Sequence, residues 1–150
     1  MTVTLAQLGG NSLFSHNFYL QVEDHTLHVF LADFGLGHAI TNTQGVGTAT
    51  MMAGTPGFQA PEQLKGEGIG VKCDVYALRG VMTELFGRQP LWVNASIHTI
   101  IYKVTVEGVF PPTDHLPQPI GCIVRNCLCS ASDRKSTADV LCQLIKLKVQ

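Results

Sequence analysis

Charge is scarce in this sequence. Asp, Glu, Lys and Arg make up 14% of its 150 residues, against about 25% in an average soluble domain. Ten basic and eleven acidic side chains leave a formal net charge of −1. They form no basic run, which argues against nucleic acid or an acidic membrane surface as a partner. Long apolar runs are missing too: none reaches the roughly 18–20 residues needed to cross a bilayer. Met1 to Gly10 contain no Lys or Arg, so the start of the chain does not read as a signal peptide, and the expected compartment is the cytoplasm. The five cysteines follow no disulfide framework, and Cys127 and Cys129 have no second pair or His at ligand spacing. They read as free thiols packed in the core rather than as a zinc site. With 45% hydrophobic residues and so few charges, the domain is expected to expose apolar surface that a partner or another domain covers.

What is present divides into a short β region, a long loop and a helical body. Residues 18–22 and 27–32 are rich in β-branched and aromatic side chains and flank the polar turn Glu23-Asp24-His25-Thr26, which predicts a hairpin. The stretch from Gly35 to Gly57 is rich in Thr and Gly and has no periodicity, so it reads as a functional loop. Residues 74–86 are apolar almost all round and predict a buried central helix started by Asp74 and stopped by Gly87. A second helix, capped by Ser96, places Ile97, Ile100, Ile101 and Val104 on one face before Pro111-Pro112. A third runs from Ile120 through Ile123, Val124, Cys127 and Leu128. The fourth opens with Ser136 and Asp139 in capping-box spacing and is expected to bury Val140, Leu141, Leu144 and Ile145.

Two motifs stand in order within this frame. Asp33-Phe34-Gly35 follows the second strand, and Ala60-Pro61-Glu62 closes the segment Gly54-Thr55-Pro56-Gly57-Phe58-Gln59-Ala60-Pro61-Glu62. Either tripeptide alone is weak; together, at this separation and in a strand–loop–helix context, they are specific. The chain resembles the eukaryotic protein kinase family, and Thr55 points to its Ser/Thr, tyrosine-kinase-like branch. Downstream, Asp74-Val75-Tyr76-Ala77-Leu78 resembles the start of the central helix of the kinase C-terminal lobe, and Arg134 stands where kinases keep an Arg.

The resemblance implies roles. Phosphoryl transfer is mostly positioning and electrostatic stabilisation. Asp33 and Asn17 would therefore bind Mg and, through it, ATP, since a hard cation takes oxygen ligands. Phe34 and Gly35 would shape the turn that carries Asp33. Gly54 and Thr55 would dock the substrate. Glu62 and Arg134 would pair and tie the loop to the helical body. Asp74 would cap its helix and accept hydrogen bonds from the catalytic loop. In the best register for that loop, Gly10 to Asn17, only Leu13 and Asn17 match the family. Ser12 stands at the position of the catalytic base, Asn11 replaces the Arg that grips a phosphorylated loop, and Phe14 replaces a Lys. A Ser hydroxyl does not accept a proton near neutral pH as a carboxylate does.

Within residues 1–150 there is no Gly-rich loop after a strand and no strand Lys paired with a helix Glu. Gly66-Glu67-Gly68-Ile69-Gly70 follows the activation segment and does not fit a phosphate loop. Arg79 interrupts the central helix where the family keeps a small residue, so a buried cation there must find a partner or reach solvent. The expected fold is mainly α (α+β overall): a kinase-like C-terminal lobe over residues 1–150 without an N-terminal lobe, with a small hairpin and an activation segment at 33–62. The expected function is that of an ATP-dependent Ser/Thr-type protein kinase family member, inactive as this chain alone. The alternative is a pseudokinase-like protein-interaction module. Whether the chain is an enzyme stays open on the sequence; a protein substrate or partner, including a missing N-terminal lobe, is expected.

Overall fold

The β-branched and aromatic run near the N-terminus pairs as expected, and gains a neighbour. The computed structural model describes residues 2–4, 18–23, 26–31, 54–67 and 70–147. Strand β1 (Thr2–Thr4), β2 (Phe18–Glu23) and β3 (Thr26–Leu31) form an antiparallel sheet in the order β1-β2-β3. The hairpin register pairs Phe18 with Leu31 and Glu23 with Thr26. Strand β1 was not anticipated from the sequence: a three-residue strand is too short to show a period-2 pattern. Val29, Phe30 and Leu31 of β3 are all exposed.

The helical body follows. A 3-10 turn (Pro56–Phe58) leads into the short helix α1 (Pro61–Leu64), which starts on proline, where the missing N–H costs nothing. Gly66, at φ +71, ends α1 in a left-handed turn, with Glu67 N–H donating to Glu62 O at 2.9 Å. The central helix α2 (Val71–Gly87) begins three residues before the expected start at Asp74. Gly70 is its N-cap, with extended backbone, and Asp74 lies inside the first turn, so Asp74 is not the helix cap. The stop signal also differs in mechanism. Gly87 is the last helical residue, and the left-handed cap is Arg88 at φ 53. At 87 the lack of a side chain leaves room for His115, whose Nε2 would lie 2.6 Å from a Cβ there.

Helix α3 (Ile97–Tyr102) is capped by Ser96, whose hydroxyl accepts from Thr99 N–H at 3.1 Å. It continues into a π-helical turn at Lys103–Glu107, which ends at Gly108 with φ +64. Helix α4 spans Ile120–Asn126 and α5 spans Thr137–Ile145. The reciprocal capping box of Ser136 and Asp139 is formed, with the Ser136 hydroxyl accepting from Asp139 N–H at 3.2 Å.

The main core joins α2, α4 and α5 through Val75, Met82, Leu116, Ile120, Ile123, Val124, Cys127 and Val140. A second cluster, Leu64, Ile100 and Val104, holds α3 and the π turn against α1. Five residues expected in the core lie outside it: Leu85 is 45% exposed, Phe86 41%, Ile97 54%, Leu141 55% and Ile145 73%. An apolar face read from 3.6-residue spacing is wider than the strip a neighbouring helix covers, and α5 is packed on one side only, through Val140 and Leu144. The cysteines are corrected in the same way. Cys73 and Cys127 are buried, whereas Cys122, Cys129 and Cys142 are exposed.

These positions separate the core strip from its exposed margin. Val140→Ala should destabilise the chain by about 2 kcal/mol in urea unfolding. Ile145→Lys, on the same helix, should change stability by no more than about 0.5 kcal/mol.

Candidate functional site

The segment 54–62 is held to the helical body by a short set of polar contacts built around Arg134. Arg134 Nη1 donates to Glu62 Oε1 at 2.6 Å and to Lys72 O at 2.8 Å. Its Nη2 donates to Glu62 Oε2 and to Cys129 O, each at 3.3 Å. The pair is bidentate and joins residues 72 positions apart, with the Arg134 side chain 1% exposed. Burial alone would push the Glu62 carboxyl up. The hydrogen bond and charge of Arg134, with smaller help from the backbone and Cys73, outweigh burial and hold it below its ordinary 4.5. The Cys73 thiol points at the same carboxylate, Sγ 3.5 Å from Oε1, and burial raises its own pKa.

Beside this pair lies a stack of unusual charge. The Tyr76 ring has the Arg79 guanidinium 4.4 Å from its centroid and that of Arg134 at 5.0 Å. The edge of Phe110 closes a further side, with ring centroids 5.9 Å apart at 65°. Arg79 is 1% exposed. It does not reach solvent, and among the described residues it meets the Tyr76 ring face rather than a carboxylate. Arg79 Nε and Nη2, Tyr76 Oη and Arg134 Nε are buried without a hydrogen-bond partner among the described residues. Burial lowers the Arg79 pKa and raises that of Tyr76, and both directions follow from the cost of taking the charged form out of water.

The segment 54–62 itself is fixed at several points. Gly54 has φ +108, a conformation that a side chain would strain. Thr55 is exposed, and its side chain makes no capping hydrogen bond to the turn that follows. Ala60 is fully buried, and its N–H donates to Gln63 Oε1 at 3.0 Å. Phe58 lies over Gly80 of α2, and Trp92 lies over Gly57. The buried Glu84 accepts from Leu91 N–H at 2.9 Å, which sets the turn that carries Trp92. Sequence reading singled out neither Trp92 nor Glu84, since nothing local distinguishes them from core residues. An open groove of about 460 Å³ runs outside the ion pair, between α1, the π turn and residues 128–131.

Of the remaining sequence-predicted residues, Asp74 sits exposed in the first turn of α2, and no described residue hydrogen-bonds to its carboxylate. Ser12, Asn17, Asp33, Phe34 and Gly35 lie outside the described residues. Among the described residues no group of His, Cys, Asp and Glu could hold a metal ion.

With this geometry in place, the comparison with known proteins is direct. The protein kinase domain model matches residues 13–145, and the chain belongs to the protein kinase family. It is similar to the DNA damage-responsive serine/threonine-protein kinase RqkA of Deinococcus radiodurans, with 30% identity over 108 residues, covering 70% of this chain and 16% of that protein. It is also similar to the human mitogen-activated protein kinase kinase kinase 3, with 27% identity over 122 residues, 80% of this chain and 20% of that protein. The serine/threonine-protein kinase PknB of Mycobacterium leprae matches at 29% over 85 residues, 57% of this chain and 14% of that protein. The chain thus spans a fifth or less of the length of each of these relatives.

Glu62→Ala and Arg134→Ala should each destabilise by roughly 2–4 kcal/mol, and the double variant by clearly less than the sum, because either single change leaves a buried charge alone. Since the Glu62 pKa is depressed on folding, its contribution is fully present above the ordinary value of 4.5 and is lost as pH falls through the folded value. Glu62→Ala should therefore flatten the acid limb of the stability–pH curve. Arg79→Met should have the opposite sign and raise stability in urea by about 1–3 kcal/mol, because it removes a buried cation with unpaired donors.

Proposed function

We propose that this chain forms the C-terminal lobe of a Ser/Thr-type protein kinase and that residues 54–62 are the ledge on which a protein substrate docks. One observation supports this reading above the others. The segment is fastened at its far end by the Glu62–Arg134 pair, while Thr55 stays exposed with its side chain uncommitted to the turn. A rigid ledge with a free hydroxyl suits the positioning that phosphoryl transfer requires. By resemblance, Asp33 and Asn17 would hold Mg and ATP, and the metal would neutralise charge on the phosphates. Phe34 and Gly35 would set the turn around Asp33, and Asp74 would meet the catalytic loop.

Phosphotransfer by these 150 residues alone is not expected. Ser12 at the base position offers no carboxylate, and the nucleotide lid and its Lys would have to come from a separate N-terminal lobe. Loop phosphorylation at Thr41, Thr43, Thr48 or Thr50 would find no Arg at position 11 to pair with. The changes at Ser12 and Phe14 favour a second reading, a pseudokinase-like module that binds protein partners through the same ledge without chemistry. In either reading the protein acts in the cytoplasm.

Calorimetry separates these expectations from an autonomous kinase. Titration of Mg·ATP into the purified chain should show no binding in the low micromolar range, since one lobe buries too little of the nucleotide. Low-micromolar binding would overturn the expectation that the chain alone binds nucleotide weakly.

A further inference from the structure

The segment 54–60 and the helical body are joined by two aromatic rings that point in opposite directions, each resting on a glycine of the other partner. Phe58, from the segment, lies against Gly80 of α2: a Cβ at 80 would sit 2.5 Å from Phe58 Cδ1 and 3.3 Å from Leu91 Cδ2. Trp92, from the connection after α2, lies against Gly57 of the segment: a Cβ at 57 would sit 2.8 Å from Trp92 Cδ1. The indole N–H also donates to Gly57 O at 3.3 Å. Leu91, 7% exposed, lies between the two contacts in sequence and space, and its N–H is held by Glu84. The same connection therefore supports both rings.

We propose that Trp92 and Phe58 form a two-way latch that sets the position of the substrate-docking segment, with Trp92 as the positioning residue. The proposal rests on the reading of 54–62 as that segment. Glycine at 57 and at 80 is what lets each ring approach the opposing backbone. Neither contact is replaceable by a larger residue without moving a ring, and an indole offers its N–H to the segment's carbonyl where Phe would not. The remaining backbone bonds of the turn, Phe58 N–H to Thr55 O at 3.0 Å and Gln59 N–H to Pro56 O at 3.3 Å, are local. They shape the turn but do not attach it to the body. Among the described residues, the two rings, buried Ala60 and the Glu62–Arg134 pair at the far end help attach the segment to the body.

Trp92 is the sole tryptophan of the chain, so its emission reports the latch directly. Gly57→Ala places a methyl group where the indole lies, and should shift the emission to the red and speed chymotryptic cleavage after Phe58 by on the order of tenfold. Trp92→Ala should give the same gain in cleavage, and Trp92→Phe, which keeps a ring but loses the N–H, an intermediate one. Urea unfolding of each variant, followed by far-UV circular dichroism, checks that the helical body remains. If a variant fails to fold, hydrogen exchange at the Phe58 and Gln59 amides of the unaltered chain decides. Protection no greater than that of an exposed turn would overturn the latch, as would unchanged emission and cleavage in folded variants. None of these readouts needs a substrate. If the latch holds and the chain cross-links to no Ser- or Thr-containing test protein through position 55, it is the docking reading that fails.

Discussion

Arg134 uses four of its five guanidinium donors at once, on both oxygens of Glu62 and on the carbonyls of Lys72 and Cys129. Those partners belong to three separate parts of the chain: the start of α1, the start of α2, and the turn between α4 and α5. A single planar fork therefore fixes where the docking segment ends, where the central helix begins and how the last two helices join it. The carbonyls matter as much as the carboxylate. By bonding Lys72 O and Cys129 O, Arg134 ties the start of α2 and the turn after α4 to one guanidinium. The interaction is electrostatic in origin, but its consequence is geometric, since a bidentate pair has little rotational freedom.

That arrangement concentrates positive charge where the chain has least to offset it. Arg79 and Arg134 flank one aromatic ring, and among the described residues Glu62 is the only carboxylate hydrogen-bonded to either of them. The Tyr76 face attracts both cations, but a ring quadrupole offsets only part of the desolvation of a guanidinium. All four buried side-chain nitrogens and oxygens without a partner among the described residues belong to these three residues. The unmet polar demand of the described structure is thus gathered at one place, directly behind the ion pair. A small residue at position 79, as the family pattern would have it, would leave Arg134 and Tyr76 as a simple pair.

Much of this was legible in the sequence, and the failures have physical causes. The hairpin, the Ser96 and Ser136 caps and the four-helix order follow from local chemistry, and local chemistry is what a sequence displays. The start of α2 was misplaced because Asp74 looks like a better cap than Gly70; yet Gly70 holds the extended conformation, and Asp74 is left in the first turn. Gly87 looked like a C-cap because glycine usually is one, whereas the left-handed residue is Arg88 and the glycine makes room for His115. Ile97, Leu141 and Ile145 carry the right period but lack a neighbour, which no periodicity reveals. Arg79 was visible as an anomaly; its ring partner was not. Ser12, Asn17, Asp33, Phe34 and Gly35 lie outside the described residues, so the nucleotide half of the site rests on motif resemblance.

The two glycine contacts of the docking segment show why such a ledge is hard to read from one sequence. Gly57 and Trp92 are 35 positions apart, and each is unremarked in its own neighbourhood. Their meaning lies in complementarity, a missing side chain on one element matched to a large flat one on another. The same holds for Phe58 and Gly80. Close packing of this kind tolerates neither addition nor removal, so it fixes a loop more sharply than hydrophobic burial alone would. With Glu62 held at one end by Arg134 and Phe58 and Gly57 gripped at the other, the residues between have little freedom left, while Gly54 and Thr55 face solvent just beyond the latch. The docking role proposed for Thr55 would draw on that combination, rigid support behind an exposed hydroxyl.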